Sequence, residues 1–184
     1  MMTMELEGDV AALRLERARQ EESPLLANLL ELYIHDLSEI FPAVQLGADG
    51  RFGYPRLASY WSEPGMRFPF LIRRAEKVLG FALAQRGSPL SDDPQVLDVA
   101  EFFVLRGERR SGVGARAAAL LWDGLPGRWI VRVSEANQSG LPFWSRVVKA
   151  YAGDAVIQTE RDGAPHRWRV FAFDTQRHVN PGAR

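Results

Sequence analysis

The stretch Asp98–Ala118, DVAEFFVLRGERRSGVGARAA, decides how the rest of the chain is read. Its first part, with Val99, Ala100, Phe102, Phe103, Val104 and Leu105, is β-branched and aromatic, and reads as a strand. Its last part is alanine-rich and reads as the start of a helix. Between them, Arg109, Arg110, Ser111, Gly112, Val113 and Gly114 supply cations, a hydroxyl and two residues without Cβ. They stand where a helix exposes its first free N–H groups, and Gly112 and Gly114 let the backbone come close to an anion. A pyrophosphate is the natural ligand of such a turn.

Outward from this centre, elements follow from periodicity and breakers. Val10–Arg17 alternates as a strand, and Ser23-Pro24 forms an N-cap and first turn for a helix carrying Leu26, Leu29, Leu30, Tyr33, Ile34, Leu37 and Ile40. Phe41-Pro42 ends it, and Tyr54–Trp61 reads as a short second helix. Phe68–Arg74 and Val78–Gln85 form a hairpin through Ala75-Glu76-Lys77. After the central strand, Gly114–Trp122 is helical, Trp129–Val133 a strand, and Ser139–Tyr151 a helix in which Pro142 falls in the first turn. Ala155–Thr159 and Trp168–Phe173 are the last strands, around a turn at Asp162-Gly163, and 177–184 reads as a loose tail. The order β-α-α-β-β-β-α-β-α-β-β predicts an α/β (α+β) fold in one domain spanning 1–184.

The totals narrow the chemistry. With 184 residues and 46% apolar content the chain can bury a sizeable core. Lys+Arg and Asp+Glu each number 23, so charge gives no argument for nucleic acid as a partner. The absence of cysteine excludes a disulfide framework, thiolate metal sites and a cysteine nucleophile. No run approaches a membrane span, and the acidic start MMTMELEGDV argues against export, so the expected location is the cytoplasm. Neither a Walker loop nor Gly-x-Gly-x-x-Gly occurs, and Ser111 and Ser134 lack a Gly-x-Ser-x-Gly elbow. His35, His166 and His178 lack metal-ligand spacing, and Asp92-Asp93 reads as loop charge, so no metal is expected.

In its element order, and most sharply between Val99 and Val148, the chain resembles the GNAT superfamily of acyl-CoA-dependent N-acyltransferases. The family's Arg/Gln-x-x-Gly-x-Gly/Ala loop is matched by Arg109–Gly114, and its Asn, small residue and aromatic after the fifth strand by Asn137, Gly140 and Phe143. Trp144 stands where the family has tyrosine. AEFFV, RR-x-GVG and PGRW segments, at 100–104, 109–114 and 126–129, also resemble an uncharacterised bacterial subgroup. The resemblance implies a mixed, mostly antiparallel sheet flanked by about four helices. It implies acetyl-CoA as co-substrate, held by Phe103, Val104, Arg109, Arg110, Ser111, Gly112, Val113, Gly114, Ala115, Asn137 and Phe143. The backbone of Val104 would pair with the pantetheine arm as an added strand, and Asn137 would bond that arm or orient the last helix.

The expected activity is acetyl transfer to a primary amine of a small molecule or protein, directly within a ternary complex. The alternative is a non-catalytic acyl-CoA-binding or regulatory protein on the same fold, and a protein-interaction module without cofactor is a third class. For the base, Glu101 comes first because it interrupts an apolar strand where desolvation raises its pKa. Asp98 is second, since a bulge would change which of the two faces the acceptor, and Glu135 is third. An indole cannot replace the tyrosine acid, which leaves Tyr151, seven residues later on the same helical face, or water. Tyr33, Tyr54 and Trp61 are the acceptor-binding candidates, set among His35, Asp36, Phe52, Tyr60 and Glu39. Expected partners are acetyl-CoA and the amine, with a homodimer compatible and neither nucleic acid nor membrane expected.

Overall fold

A computed structural model describes residues 12–163 and 166–175. In chain order it contains β1 (Leu13–Arg17), α1 (Ser23–Ser38), α2 (Ser59–Ser62), β2 (Arg67–Arg74), β3 (Lys77–Arg86), β4 (Leu97–Val104), α3 (Val113–Gly124), β5 (Arg128–Ser134), α4 (Gly140–Ala152), β6 (Ile157–Gly163) and β7 (His166–Asp174). This is the order expected from the sequence. Val10, His178 and the tail 177–184 lie outside the described residues.

Two local expectations need correction. Ser23 is the first residue of α1 rather than its cap, because a 3-10 turn over Gln20–Glu22 leads into the helix and the Glu22 carboxylate accepts the Arg19 N–H at 2.9 Å. The second helix shrinks from Tyr54–Trp61 to four residues. Before it the chain makes separate turns, with Leu57 N–H donating to Tyr54 C=O at 3.0 Å and Tyr60 N–H to Leu57 C=O at 3.1 Å.

The seven strands form one sheet in the order β1-β2-β3-β4-β5-β7-β6, antiparallel at every pair except β4 with β5. Helices α3 and α4 cover one face, where Leu97, Val99, Leu121, Trp122, Val131, Val133, Val148 and Phe171 pack together. Helices α1 and α2 cover the other through Leu26, Leu30, Tyr60, Phe81, Leu83 and Phe103. At roughly 25 cal/mol per Å² of apolar surface removed from water, both layers contribute to holding the sheet between them.

Two irregularities in β4 prepare the site. Leu83 pairs with Glu101 and Ala84 with Val99, so Ala100 is an extra residue, a β-bulge. Leu97, Val99 and Val104 consequently lie toward α3 and α4, whereas Asp98, Glu101 and Phe103 lie toward α1. In an unbroken strand Asp98 and Glu101 would point to opposite faces. The second irregularity is that β4 and β5 pair only at Leu97 with Trp129 and Asp98 with Ile130. Beyond those residues the parallel strands part, and a gap opens through the middle of the sheet.

Candidate active site

On the α3 side of the gap, Gly112 caps the helix with φ of 83° and Arg110 precedes it with φ of 64°. A Cβ at Gly112 would meet open space, so glycine is required there by conformation rather than by room. Arg116 N–H donates to Gly112 C=O at 3.0 Å, the first intrahelical bond, which leaves the N–H groups of Val113, Gly114 and Ala115 at the open helix end. Val113 itself is buried on Val104 and Ala117 and anchors the turn. A Cβ on Gly114 would lie 3.0 and 3.1 Å from ring atoms of Phe143, so Phe143 packs against this turn of α3.

The side chains of the turn are arranged differently from the sequence expectation. Ser111 Oγ donates to Glu108 C=O at 2.6 Å, stiffening the turn. Arg109 turns away from the helix end: its Nε donates to Val104 C=O at 2.8 Å and its Nη2 to Asp36 at 2.7 Å. Arg106 reaches the other oxygen of Asp36 at 2.6 Å. Partial burial pushes the Asp36 carboxyl up, but the bonds from Arg106 and Arg109 outweigh it and hold the pKa below the usual range. Both arginines expected to meet phosphate are exposed, but Arg109 is engaged with α1.

Leu105 N–H donates to Leu79 C=O at 2.8 Å, toward β3. By the alternation of an antiparallel ladder, Phe103 also faces β3, whereas the main-chain groups of Phe102 and Val104 face the gap. Because Arg109 takes the Val104 carbonyl, the Val104 N–H is the group offered there.

The gap holds a cavity of about 220 Å³, lined by Tyr33, Leu37, Phe41, Glu101, Arg132, Asn137, Trp144 and Trp168 among others. Glu101 is its carboxylate. Tyr33 donates to Glu101 Oε2 at 2.7 Å and Tyr54 to Oε1 at 3.1 Å, so both tyrosines proposed for the acceptor first serve Glu101. Burial pushes the Glu101 pKa up, and the two hydroxyls and the Arg132 charge only partly offset it. Tyr33 is pushed far above its ordinary value by burial and then by the Glu101 charge. Its ring is fixed edge-on against Phe81, with centroids 5.7 Å apart.

Asp98 takes another part. It is fully buried, and Arg132 Nε donates to its Oδ2 at 2.8 Å. Burial raises its pKa against the opposing pull of Arg132. Asp98 therefore fixes Arg132, while Glu101 faces the cavity. Glu135, the third carboxylate, is paired with Arg169 at 3.1 Å.

Two candidates lie elsewhere. The Tyr151 hydroxyl donates to Asp123 at 2.7 Å, and its ring lies tilted against Trp122 with centroids 4.8 Å apart, which places it on the α3–α4 seam and not in the cavity. Trp61 donates its indole N–H to Ala18 C=O at 3.0 Å and packs in the α1 layer. Asn137 Oδ1 accepts the Gly140 N–H at 2.8 Å, so it orients the first turn of α4 while bordering the cavity. Trp144 borders it too, edge-on to Phe102 at 5.0 Å. Among the described residues no group of His, Asp and Glu could hold a metal ion, and no helix is long and apolar enough to cross a membrane.

Sequence reading missed Arg132, Trp168, Leu37 and Phe41. The signal that selected Glu101, a charge inside an apolar strand, marks Arg132 equally well, between Val131 and Val133. Phe41, in the loop after α1, lines the cavity and meets His166 edge-on with ring centroids 4.7 Å apart. No sequence signal pairs those two.

Comparison with protein-family models and with curated proteins gave no match. Solved structures did match. An acetyltransferase from Thermus thermophilus superposes with a TM-score of 0.67 at 18% identity, covering 90% of this chain and 98% of that one. A GNAT-family acetyltransferase from Streptococcus agalactiae matches with a TM-score of 0.63 at 12% identity, over 88% and 95% of the two chains. The chain has the GNAT fold. A Salmonella typhimurium protein assigned as an acetyltransferase, and holding its cofactor acetyl-CoA, matches with a TM-score of 0.62 at 13% identity, over 94% and 99%. The GNAT fold agrees with the mixed, mostly antiparallel sheet and four helices expected from the sequence.

Proposed function

We propose that the chain is an N-acyltransferase that carries an acetyl group from acetyl-CoA to a primary amine in a single ternary complex. One observation carries this reading: the sheet splits between β4 and β5, with an open helix N-terminus on one side of the gap and a desolvated carboxylate on the other. The open N–H groups of Val113, Gly114 and Ala115 fit a diphosphate, and the helix end adds about 0.3–1 kcal/mol of attraction for negative charge. Arg110 is placed to add a charge-assisted bond. The main-chain groups of Phe102 and Val104 fit the amides of a pantetheine arm laid along β4. Acetyl-CoA, when bound, supplies the activated acyl carbon.

The chain's own residues do the rest. Glu101, held by Tyr33 and Tyr54, receives a proton from the acceptor nitrogen as that nitrogen bonds to the acyl carbon. Its raised pKa makes it a better proton acceptor near neutrality than an ordinary carboxylate. The Phe102 N–H, which faces the gap beside Glu101, is the donor for the carbonyl oxygen as charge builds on it. The carbon–sulfur bond then breaks with its electron pair on sulfur. A thiolate of ordinary basicity takes its proton from water, so Trp144 in place of tyrosine is compatible with turnover.

The same tryptophan favours a second reading, a protein that binds acyl-CoA without turning it over. Thiol release from acetyl-CoA in the presence of a broad amine panel tests both. Amine-dependent release supports the transferase, whereas CoA binding without release for any amine supports the binding protein. A lack of CoA binding contradicts both.

A further inference from the structure

Resting on the transferase reading, we propose that the acceptor is a small amino acid, whose carboxylate is bound by Arg132 while its amine meets Glu101. Arg132 lies in β5 between Val131 and Val133, after Trp129 and Ile130, and its side chain is only 18% exposed. Its Nε is spent on the buried Asp98. Its two Nη atoms have no hydrogen-bond partner among the described residues, and the residue lines the cavity. The guanidinium sits over the Trp168 ring, 5.9 Å from its centroid.

A half-buried guanidinium whose terminal nitrogens have no partner, in a residue that lines a cavity, gains charge-assisted bonds from an anion that enters it. The planar pair of Nη donors matches the two oxygens of a carboxylate. Asp98 supplies the positioning: a wholly buried carboxylate on Nε leaves only the far side of the fork for a ligand. Across the same cavity Glu101 is the group for an ammonium, and it lies within range of the Arg132 charge. One small space thus presents an anion and a cation, with Leu37, Phe41 and Trp168 also among its walls. The cavity of about 220 Å³ has also to take the thioester, so the space left beside Glu101 and Arg132 suits an acceptor as small as an amino acid.

The test uses the full chain with acetyl-CoA and the proteinogenic amino acids and β-alanine, each beside its primary amide. Thiol release is followed, together with direct binding through the fluorescence of Trp144 and Trp168. The expected result is at least one amino acid with kcat/KM about 50-fold or more above its amide, a ratio that falls toward unity in Arg132→Lys with the melting temperature retained. Amides turned over as well as the acids would overturn the inference and leave the transferase reading intact. Selective binding of amino acids without any thiol release would contradict both the inference and the transferase reading and favour the binding protein. Neither binding nor release across this panel would overturn the inference, and thiol release with other amines would then show that the transferase reading stands without it. If Arg132→Lys does not fold, the acid-to-amide ratio in the unaltered protein decides.

Discussion

The two sides of the split sheet are built by different means. On the α3 side the work is done by main chain: a glycine at φ of 83°, three open N–H groups and the Val104 N–H, all within one short stretch. On the α1 side it is done by side chains brought together from α1, the loop before α2, β4, β5 and β7, namely Tyr33, Tyr54, Glu101, Arg132 and Trp168. The first side suits the coenzyme that the Salmonella typhimurium protein holds. The second suits the acceptor of the proposed transfer. Changes on the two sides should therefore be separable, one altering cofactor affinity and the other altering turnover and acceptor choice.

The largest expected effect breaks the acceptor side alone. Glu101→Gln should lower kcat by about 10²–10³-fold while CoA affinity, measured by titration calorimetry, moves less than twofold. Equal losses in both would make the two sides one unit and contradict the comparison. The same variant reports on burial through stability. Because the folded-state pKa of Glu101 is raised, its favourable contribution is complete below the unfolded pKa of about 4 and is lost as pH rises through the folded value. Glu101→Gln should accordingly melt a few degrees above the unaltered chain at pH 8, with the gap closing toward pH 4.

Next in size is the cofactor side. Gly112→Val forces a β-branched residue into a left-handed conformation and should weaken CoA binding by about tenfold or more, with kcat at saturating CoA changed much less. Unchanged affinity would remove the helix end from the cofactor site.

Tyr33→Phe should have a smaller and more diagnostic effect. The lost hydroxyl had been lowering the Glu101 pKa, so the acidic limb of the pH–rate profile moves to higher pH and the rate at pH 7 falls by several-fold. A limb that stays in place or moves down would show that Tyr33 does not tune this carboxyl. Smallest of all, Asp36→Ala releases Arg109 from its exposed ion pair. CoA affinity should rise, by no more than about threefold, if the freed guanidinium reaches phosphate. A fall in affinity would instead show that the Asp36–Arg109 pair shapes the turn.

The same division explains what sequence could disclose. Element order, the glycine turn and the helix start were legible because each rests on local signals: β-branched runs, breakers, and glycine where φ is positive. Glu101 was legible as a charge in an apolar strand. The face it shares with Asp98 was not, since that depends on the single extra residue Ala100 in the pairing of β3 with β4. Arg109 carried the right chemistry for phosphate but has a partner 73 positions away, in α1, that no local pattern announces. Trp61 and Tyr151 looked available as aromatic residues on helices, and both are tied by hydrogen bonds to neighbours distant in sequence. Arg132 carried the same signal as Glu101. Its role became visible only when the split between β4 and β5 showed which side chains share the gap.

A crystal structure with CoA tests the central division most directly. The account predicts the diphosphate on the N–H groups of Val113, Gly114 and Ala115, the arm along Phe102 and Val104, and the sulfur in the gap opposite Glu101. A diphosphate bound away from the Gly112 turn, or a sulfur that emerges on a face remote from Glu101, would contradict it.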